Sequence, residues 1–313
     1  LVESYLVENG TSVLFGPPAS FKTFIALDIA LSIAHGVDWR GFKVREARPV
    51  LYICAEGQHG LGARCHVWRE HRAQGATCAG FWVLPVPVNF MDPAKVELLI
   101  GAIEKFGVGA RMIVIDTVAR NFGPGDENKT QDMNAFVAGV DKIRAKFQAH
   151  VMLVHHSGKD EEKDERGSSV LRAAVDAALR LRRDGLTDTV VVKVKKQKDG
   201  PEAPDLTLTV PIAEAIHPKT GEVITSRIPT LSDVQQAAQE ARKPTRLGKN
   251  ERQILEALRD GPQTFATLMK RLGATDERNF GRALNSLEGK NLIEKRDGHY
   301  VETVVSQNQP SEE

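Results

Sequence analysis

Eight short apolar runs punctuate residues 1 to about 212: SVLFG, VLYICAE, FWVLPV, RMIVIDT, HVMLVHH, AALRLRR, TVVVKVKK and LTLTVPI. Their spacing constrains the fold more than any other feature of the chain. Each run has strand length and is rich in Val, Ile and Leu, as expected of strands covered on both faces. Between several of them lie helix-length stretches, notably Thr23–His35 and Met133–Phe147. Strands alternating with helices read as crossover units feeding a mostly parallel central sheet, an α/β fold.

Composition sets the outer limits. At 313 residues there is room for one large α/β domain and a small second one. Hydrophobic content of 41% and charged content of 27% are those of an ordinary globular chain. No apolar run approaches the roughly eighteen residues of a membrane span, and no leader with a cleavage site is visible. The opening at Leu1 rather than Met reads as a fragment or processed chain, with an upstream domain absent. Cys54, Cys65 and Cys78 are odd in number and lack C-x-x-C spacing. That argues against a disulfide framework or a zinc site and for a reducing, cytoplasmic setting. A net charge of +1 gives no global nucleic-acid footprint.

After residue 212 the character changes. Pro218, Gly221, Pro229 and Pro244 among polar residues mark 213–248 as a hairpin extension and linker. NERQILEALRDG, TFATLMKRLG and DERNFGRALNSLEGKNL then read as three helices, and IEKRDGHYVET as a hairpin turning at Asp297–Gly298. Three helices and a hairpin resemble a winged-helix domain over 249–304, followed by a disordered tail at 305–313. From Arg242 to Tyr300 there are thirteen Lys and Arg against eight Asp and Glu. With Arg278 and Arg282 on the third helix and Lys295 and Arg296 in the hairpin, duplex DNA is the expected partner, protein docking the competing one.

The chemistry begins at GPPASFKT. The pattern G-x-x-x-x-G-K-[ST] starts at Gly16 and ends at Lys22 and Thr23, but Phe21 stands in place of the second glycine. A strand delivers the chain to Gly16 and a helix starts near Lys22, so backbone N–H groups of Gly16, Pro18-flanked Ala19, Ser20, Phe21, Lys22 and Thr23, with Pro17 shaping the turn, would cradle phosphates. Lys22 would reach the β- and γ-phosphates of ATP, and Thr23 would place its hydroxyl on Mg²⁺. Asp116, ending RMIVIDT, would put a carboxylate near the same Mg²⁺. Glu56, ending VLYICAE, would orient the attacking water. His156, ending HVMLVHH, would sense the γ-phosphate, with His155 packed, because adjacent strand residues face opposite ways. His59, His66 and His71 show no ligand pattern.

Taken in order, GPPASFKT, VLYICAEG, IVIDT, LVHHSGK and RGSSVLRAAVDAALRL resemble the RecA-like, AAA-type ATPase core of RepA-type plasmid replicative helicases, related to DnaB-type hexameric helicases. The resemblance covers most of residues 1–212. It implies a RecA-like P-loop NTPase, ATP and Mg²⁺ bound between the subunits of a hexameric ring, and single-stranded DNA through the centre. It gives Lys22, Thr23, Glu56, Asp116 and His156 the roles already argued, and such relatives tolerate a bulky residue before the lysine. VKKQKDGPE resembles the segment in which a Lys and an Arg reach into the neighbour's nucleotide, which assigns that role to Lys196 and Lys198. Lysine there lacks the planar fork of arginine. Where RepA has its finger arginine this chain has Asp176, leaving Arg166, Arg172 and Arg180 as substitutes. A solvated strand face is the plainer reading of Lys193, Lys195, Lys196 and Lys198.

Two stretches are candidate DNA loops: RNFGPGDENKTQDMN, read as mobile, and SGKDEEKDERGSS, in which Lys159, Lys163 and Arg166 are outnumbered by acids. The expected function is an ATP-hydrolysing nucleic-acid motor, a replicative-type DNA helicase or primase-helicase fragment. The alternative is an ATP-switched DNA-binding or regulatory protein without unwinding activity. A small-molecule kinase shares the loop but leaves Glu56, His156 and KQKDGP without a role.

Overall fold

The computed structural model describes residues 1–74, 76, 78–156, 169–198, 203–236, 248–289, 292–296 and 298–302. Every apolar run becomes a strand: β1 (Thr11–Gly16), β2 (Val50–Cys54), β3 (Phe81–Leu84), β4 (Met112–Asp116), β5 (His150–His156), β6 (Ala177–Arg183), β7 (Thr189–Gln197) and β8 (Leu206–Thr209). Three further strands follow, β9 (Ile212–Ile216), β10 (Val223–Arg227) and β11 (Thr230–Leu231). Among the described residues one sheet has nine strands in the order β11-β8-β7-β6-β1-β5-β4-β2-β3. Neighbours from β6 through β3 are parallel, and β7, β8 and β11 add an antiparallel wing.

Period-two patterning explains why the sheet is buried on both faces. In β1, Leu14 joins a cluster with Ile25 of α1 (Lys22–His35) and Trp68 of α2 (Gln58–Arg72). Val13 and Phe15 join the opposite cluster with Ile100 of α3 (Pro93–Lys105) and residues beyond the short α4 (Val118–Asn121), such as Phe136 of α5 (Thr130–Phe147). Helices thus cover both faces, as parallel strands require. Helix α1 is buried along Ile25–Ala34, including Asp28 at 0% exposure. That carboxylate is tolerated because Trp39 Nε1 (2.8 Å), Trp68 Nε1 (2.7 Å) and Arg40 Nε (2.9 Å) all donate to it.

The sequence reading sets 213–248 apart as a hairpin extension and linker; by contacts the first unit runs on past residue 212, over Leu1–Gln239. Strands β9 and β10 form a hairpin docked on α2, where Val67 packs with Ala215 and Ile228. His66 Nε2 and His71 Nε2 donate to the carbonyls of Ile216 (2.9 Å) and Glu214 (2.8 Å), which gives those histidines a structural use. Strand β11 then rejoins the main sheet beside β8. The stretch after Asp116 read as mobile, residues 120–134, has its two ends in α4 and α5 and a non-helical middle at 122–129, where the Asp126 N–H donates to Asp132 Oδ2 at 2.9 Å. The segment 157–168 with Lys159, Lys163 and Arg166, residues 237–247, and the tail 305–313 lie outside the described residues.

A second unit spans Glu240–Glu313. It contains, after α6 (Ser169–Ala174) of the first unit, α7 (Lys249–Leu258), β12 (Gln263–Thr264), α8 (Phe265–Arg271), α9 (Glu277–Gly289), β13 (Ile293–Arg296) and β14 (His299–Glu302). The three strands form an antiparallel sheet in the order β12-β14-β13, one strand more than the hairpin read from the sequence. Ile254, Leu268, Phe280, Leu284, Leu287 and Ile293 form its core. No helix of the described residues is long and apolar enough to cross a membrane.

Candidate active site

Strand β1 is buried along its whole length and ends at Gly16, where a Cβ would meet the Leu181 carbonyl at 2.4 Å. Glycine is what lets the chain pass β6 at that point. The loop then closes on itself as Ser20 Oγ donates to Pro17 O at 2.8 Å. Lys22 folds back over it, its Nζ donating to Gly16 O at 3.0 Å and Pro17 O at 2.7 Å. Burial brings this ammonium down from 10.5 to about 8, opposed by the charges of Asp116 and Glu56. The N-cap of α1 is Phe21, with no side-chain cap, so the amides of the first turn have no capping oxygen and suit an anion.

Phe21 itself has φ 64° and ψ 19°, the left-handed conformation that favours glycine. A side chain there costs about 1–2 kcal/mol. The ring lies against two guanidinium groups, Arg183 at 4.4 Å and Arg227 at 5.3 Å from its centroid. Each such contact contributes about 0.5–2 kcal/mol, enough together to offset the strain. Hence the missing glycine does not disturb the loop.

Asp116, at the end of β4, is 1% exposed. Its Oδ2 accepts from Tyr52 OH at 2.7 Å, and the Thr23 hydroxyl is near enough to favour the charged carboxylate. Oδ1 is buried without a partner. Burial pushes the carboxyl's pKa up, while Tyr52 and Thr23 hold it down. An orphaned carboxylate oxygen beside a hydroxyl fits a hard divalent cation such as Mg²⁺.

Glu56 lies just past β2, at the turn into α2; Arg120 Nε donates to its Oε1 at 2.9 Å and Thr117 Oγ1 at 3.5 Å. His156 pairs in register with Gly16 and is exposed. Partial burial and the nearby Lys22 charge lower its pKa, with Glu56 opposing. His155 is the packed neighbour, facing Glu127 at 3.6 Å. Burial, then His156 and Lys22, hold it at about 4, so it is neutral near pH 7. Because β1, β5, β4 and β2 are adjacent and parallel, their C-terminal ends bring Gly16–Thr23, His156, Asp116 and Glu56 to one sheet edge. Open α/β sheets bind their ligands at that edge.

Residues 1–162 match the profile of a family described as AAA domain. The chain belongs to the AAA domain family. Solved structures similar to it include a crystal structure of the RadB recombinase, with a TM-score of 0.46 and 15% identity over 66% of this chain and 89% of that one. Another is a KaiC-like protein from the hyperthermophilic archaeon Pyrococcus horikoshii OT3, with a TM-score of 0.46 and 12% identity over 72% and 93% of the two chains. An AAA domain is an ATPase domain, and the edge just described lies within the matched residues.

Lys196 and Lys198 are not brought to this edge of the AAA domain. Lys196 pairs with Ala178, which pairs with Val13, toward the start of β1. Its Nζ donates to the carbonyls of Arg172 (2.8 Å) and Ala173 (2.9 Å) at the end of α6. Lys198 Nζ lies 3.5 Å from Asp176, which also accepts from Thr11 N (2.9 Å) and Oγ1 (3.2 Å). Within this chain both lysines thus engage their own residues, and Asp176 anchors β1. Of the substitute arginines, Arg172 lies 6.0 Å over the Phe15 ring. Sequence reasoning missed Tyr52, Arg120, Arg183 and Arg227. Only Tyr52 had a local signal, sitting on the strand that leads to Glu56.

Proposed function

We propose that this chain is an ATP-hydrolysing nucleic-acid motor of the RepA-type helicase kind, working as a ring of copies, hexameric by resemblance, around single-stranded DNA. The observation that carries the proposal is the convergence of Lys22, Thr23, Asp116, Glu56 and His156 on one sheet edge. In this reading Lys22 and the amides of Gly16–Thr23 hold the ATP phosphates. Thr23 and Asp116 would hold Mg²⁺, which when bound neutralises phosphate charge. Glu56 orients a water toward the γ-phosphate and takes its proton. The Arg120 guanidinium must let go of that carboxylate first. His156, opposite Gly16, registers the loss of the γ-phosphate. The three helices and three-stranded sheet of the second unit support a winged-helix role in duplex binding, with Arg278, Arg282, Lys295 and Arg296 all exposed.

The test is steady-state ATP hydrolysis with and without single-stranded DNA. The expected result is stimulation by DNA, abolished in Glu56→Gln; turnover indifferent to DNA would sink the motor reading. A second reading has one observation in its favour. With Lys196 and Lys198 engaged by their own chain, trans-activation is weakened, which suits a protein that ATP switches for DNA binding without unwinding. Slow, DNA-independent hydrolysis with sequence-specific duplex binding would select it.

A further inference from the structure

Two arginines from outside its loop lie over Phe21, which also packs against the core beneath it. Arg183, the last residue of β6, and Arg227, the last residue of β10, both lie over its ring. Each arginine is itself fixed. Arg183 donates from Nε to Thr187 O at 2.6 Å, from Nη2 to Leu186 O at 3.1 Å, and from Nη1 to Ala19 O at 3.4 Å within the loop. Arg227 Nη1 donates to Asp188 Oδ1 and Val210 O, both at 2.6 Å. The Phe21 ring also meets Phe24 edge-on at 6.2 Å, and Arg64 of α2 lies 4.9 Å over Phe24. Two arginines over one ring, a second ring against the first and a third arginine over the second therefore link the β9–β10 hairpin through the loop to α2.

A glycine at this position would reach the left-handed conformation without strain, but would also visit every other basin. A phenylalanine is confined there only while its ring is held. We propose that Phe21 is a positioning residue: the Arg183–Phe21–Arg227 clamp fixes the loop in its phosphate-binding shape before ligand arrives. Through Arg227, the β9–β10 hairpin controls that shape and so the loop's affinity for nucleotide. This inference rests on the reading that Gly16–Thr23 holds the phosphates of ATP.

The experiment is equilibrium titration of the full chain with a fluorescent ATP analogue and Mg²⁺, with the melting temperature of each unliganded variant recorded alongside. Arg183→Met and Arg227→Met should each weaken binding about three- to tenfold, because binding must then order a loop that was preformed. Phe21→Gly should weaken it comparably, and in that background Arg227→Met should add nothing further. Phe21→Tyr, which keeps the ring face, should bind like wild type, a rescue that a general packing role does not predict. Wild-type affinity in Arg227→Met, or penalties that add in the Phe21→Gly background, would overturn the clamp. Should Arg227→Met not fold, Phe21→Leu decides, since it keeps apolar bulk without the ring: weakened binding supports the clamp and wild-type affinity overturns it. A wild-type chain that binds no analogue would overturn the nucleotide reading itself, an outcome distinct from any variant result.

Discussion

Lys22 carries two burdens, one chemical and one energetic. The residue is 5% exposed, and burial lowers its pKa from 10.5 to about 8. The folded value lies below the unfolded one, so the unfolded chain binds more protons between pH 8 and 10.5. Stability of the unliganded chain therefore rises with pH through that window, and the burial penalty is complete below it. Lys22→Met removes a charge that burial disfavours. Thermal melts should place this variant at or above wild type at pH 7 and erase the rise above pH 8, while ATP binding is lost. A variant that melts well below wild type at pH 7 would show instead that the bonds to Gly16 and Pro17 outweigh desolvation. Asp116, Glu56 and His156 were legible in the sequence because each ends an apolar run, where a strand must surface, and Lys22 and Thr23 because the loop pattern GPPASFKT follows such a run. Their partners Arg120, Arg183 and Arg227 were not, because pairing across the fold leaves no local pattern.

At the scale of elements, strands β1 to β8 and helices α1 and α5 could be read from periodicity to within three residues at either end. The fate of the β9–β10 hairpin could not. Its sequence has the prolines and glycines of an extension, yet the histidines of α2 and a small apolar cluster bind it to the core. A chain ending at residue 212 would lose the hairpin, the β11 partner of β8, and Arg227 over Phe21. It should melt clearly lower than a chain ending at 239 and bind ATP more weakly. Equal melting of the two fragments would restore the boundary at 212. The lysines of β7 teach the same lesson: VKKQKD marks a basic strand end, but only packing beside α6 reveals that Lys196 faces carbonyls of its own chain.

For the whole molecule, the two units differ in what they offer a partner. The first concentrates its chemistry at one sheet edge; the second carries exposed Arg278, Arg282, Lys295 and Arg296. If the chain works as a ring, mass in solution should rise to a multiple of 34.4 kDa with a non-hydrolysable ATP analogue and single-stranded DNA. A monomer under every condition would leave Glu56 and His156 to act within one chain only. By itself the sequence determined the α/β class, the order of the strands along the chain and the residues at their ends. Those follow from local periodicity and from the demand that buried strands be apolar. Only the tertiary structure decided which strand lies beside which, that Phe21 occupies a glycine conformation under two arginines, and that the β9–β10 hairpin joins the first unit. Such features depend on contacts between residues far apart in the chain, where cation–ring attraction and hairpin docking are set by geometry that no local pattern encodes.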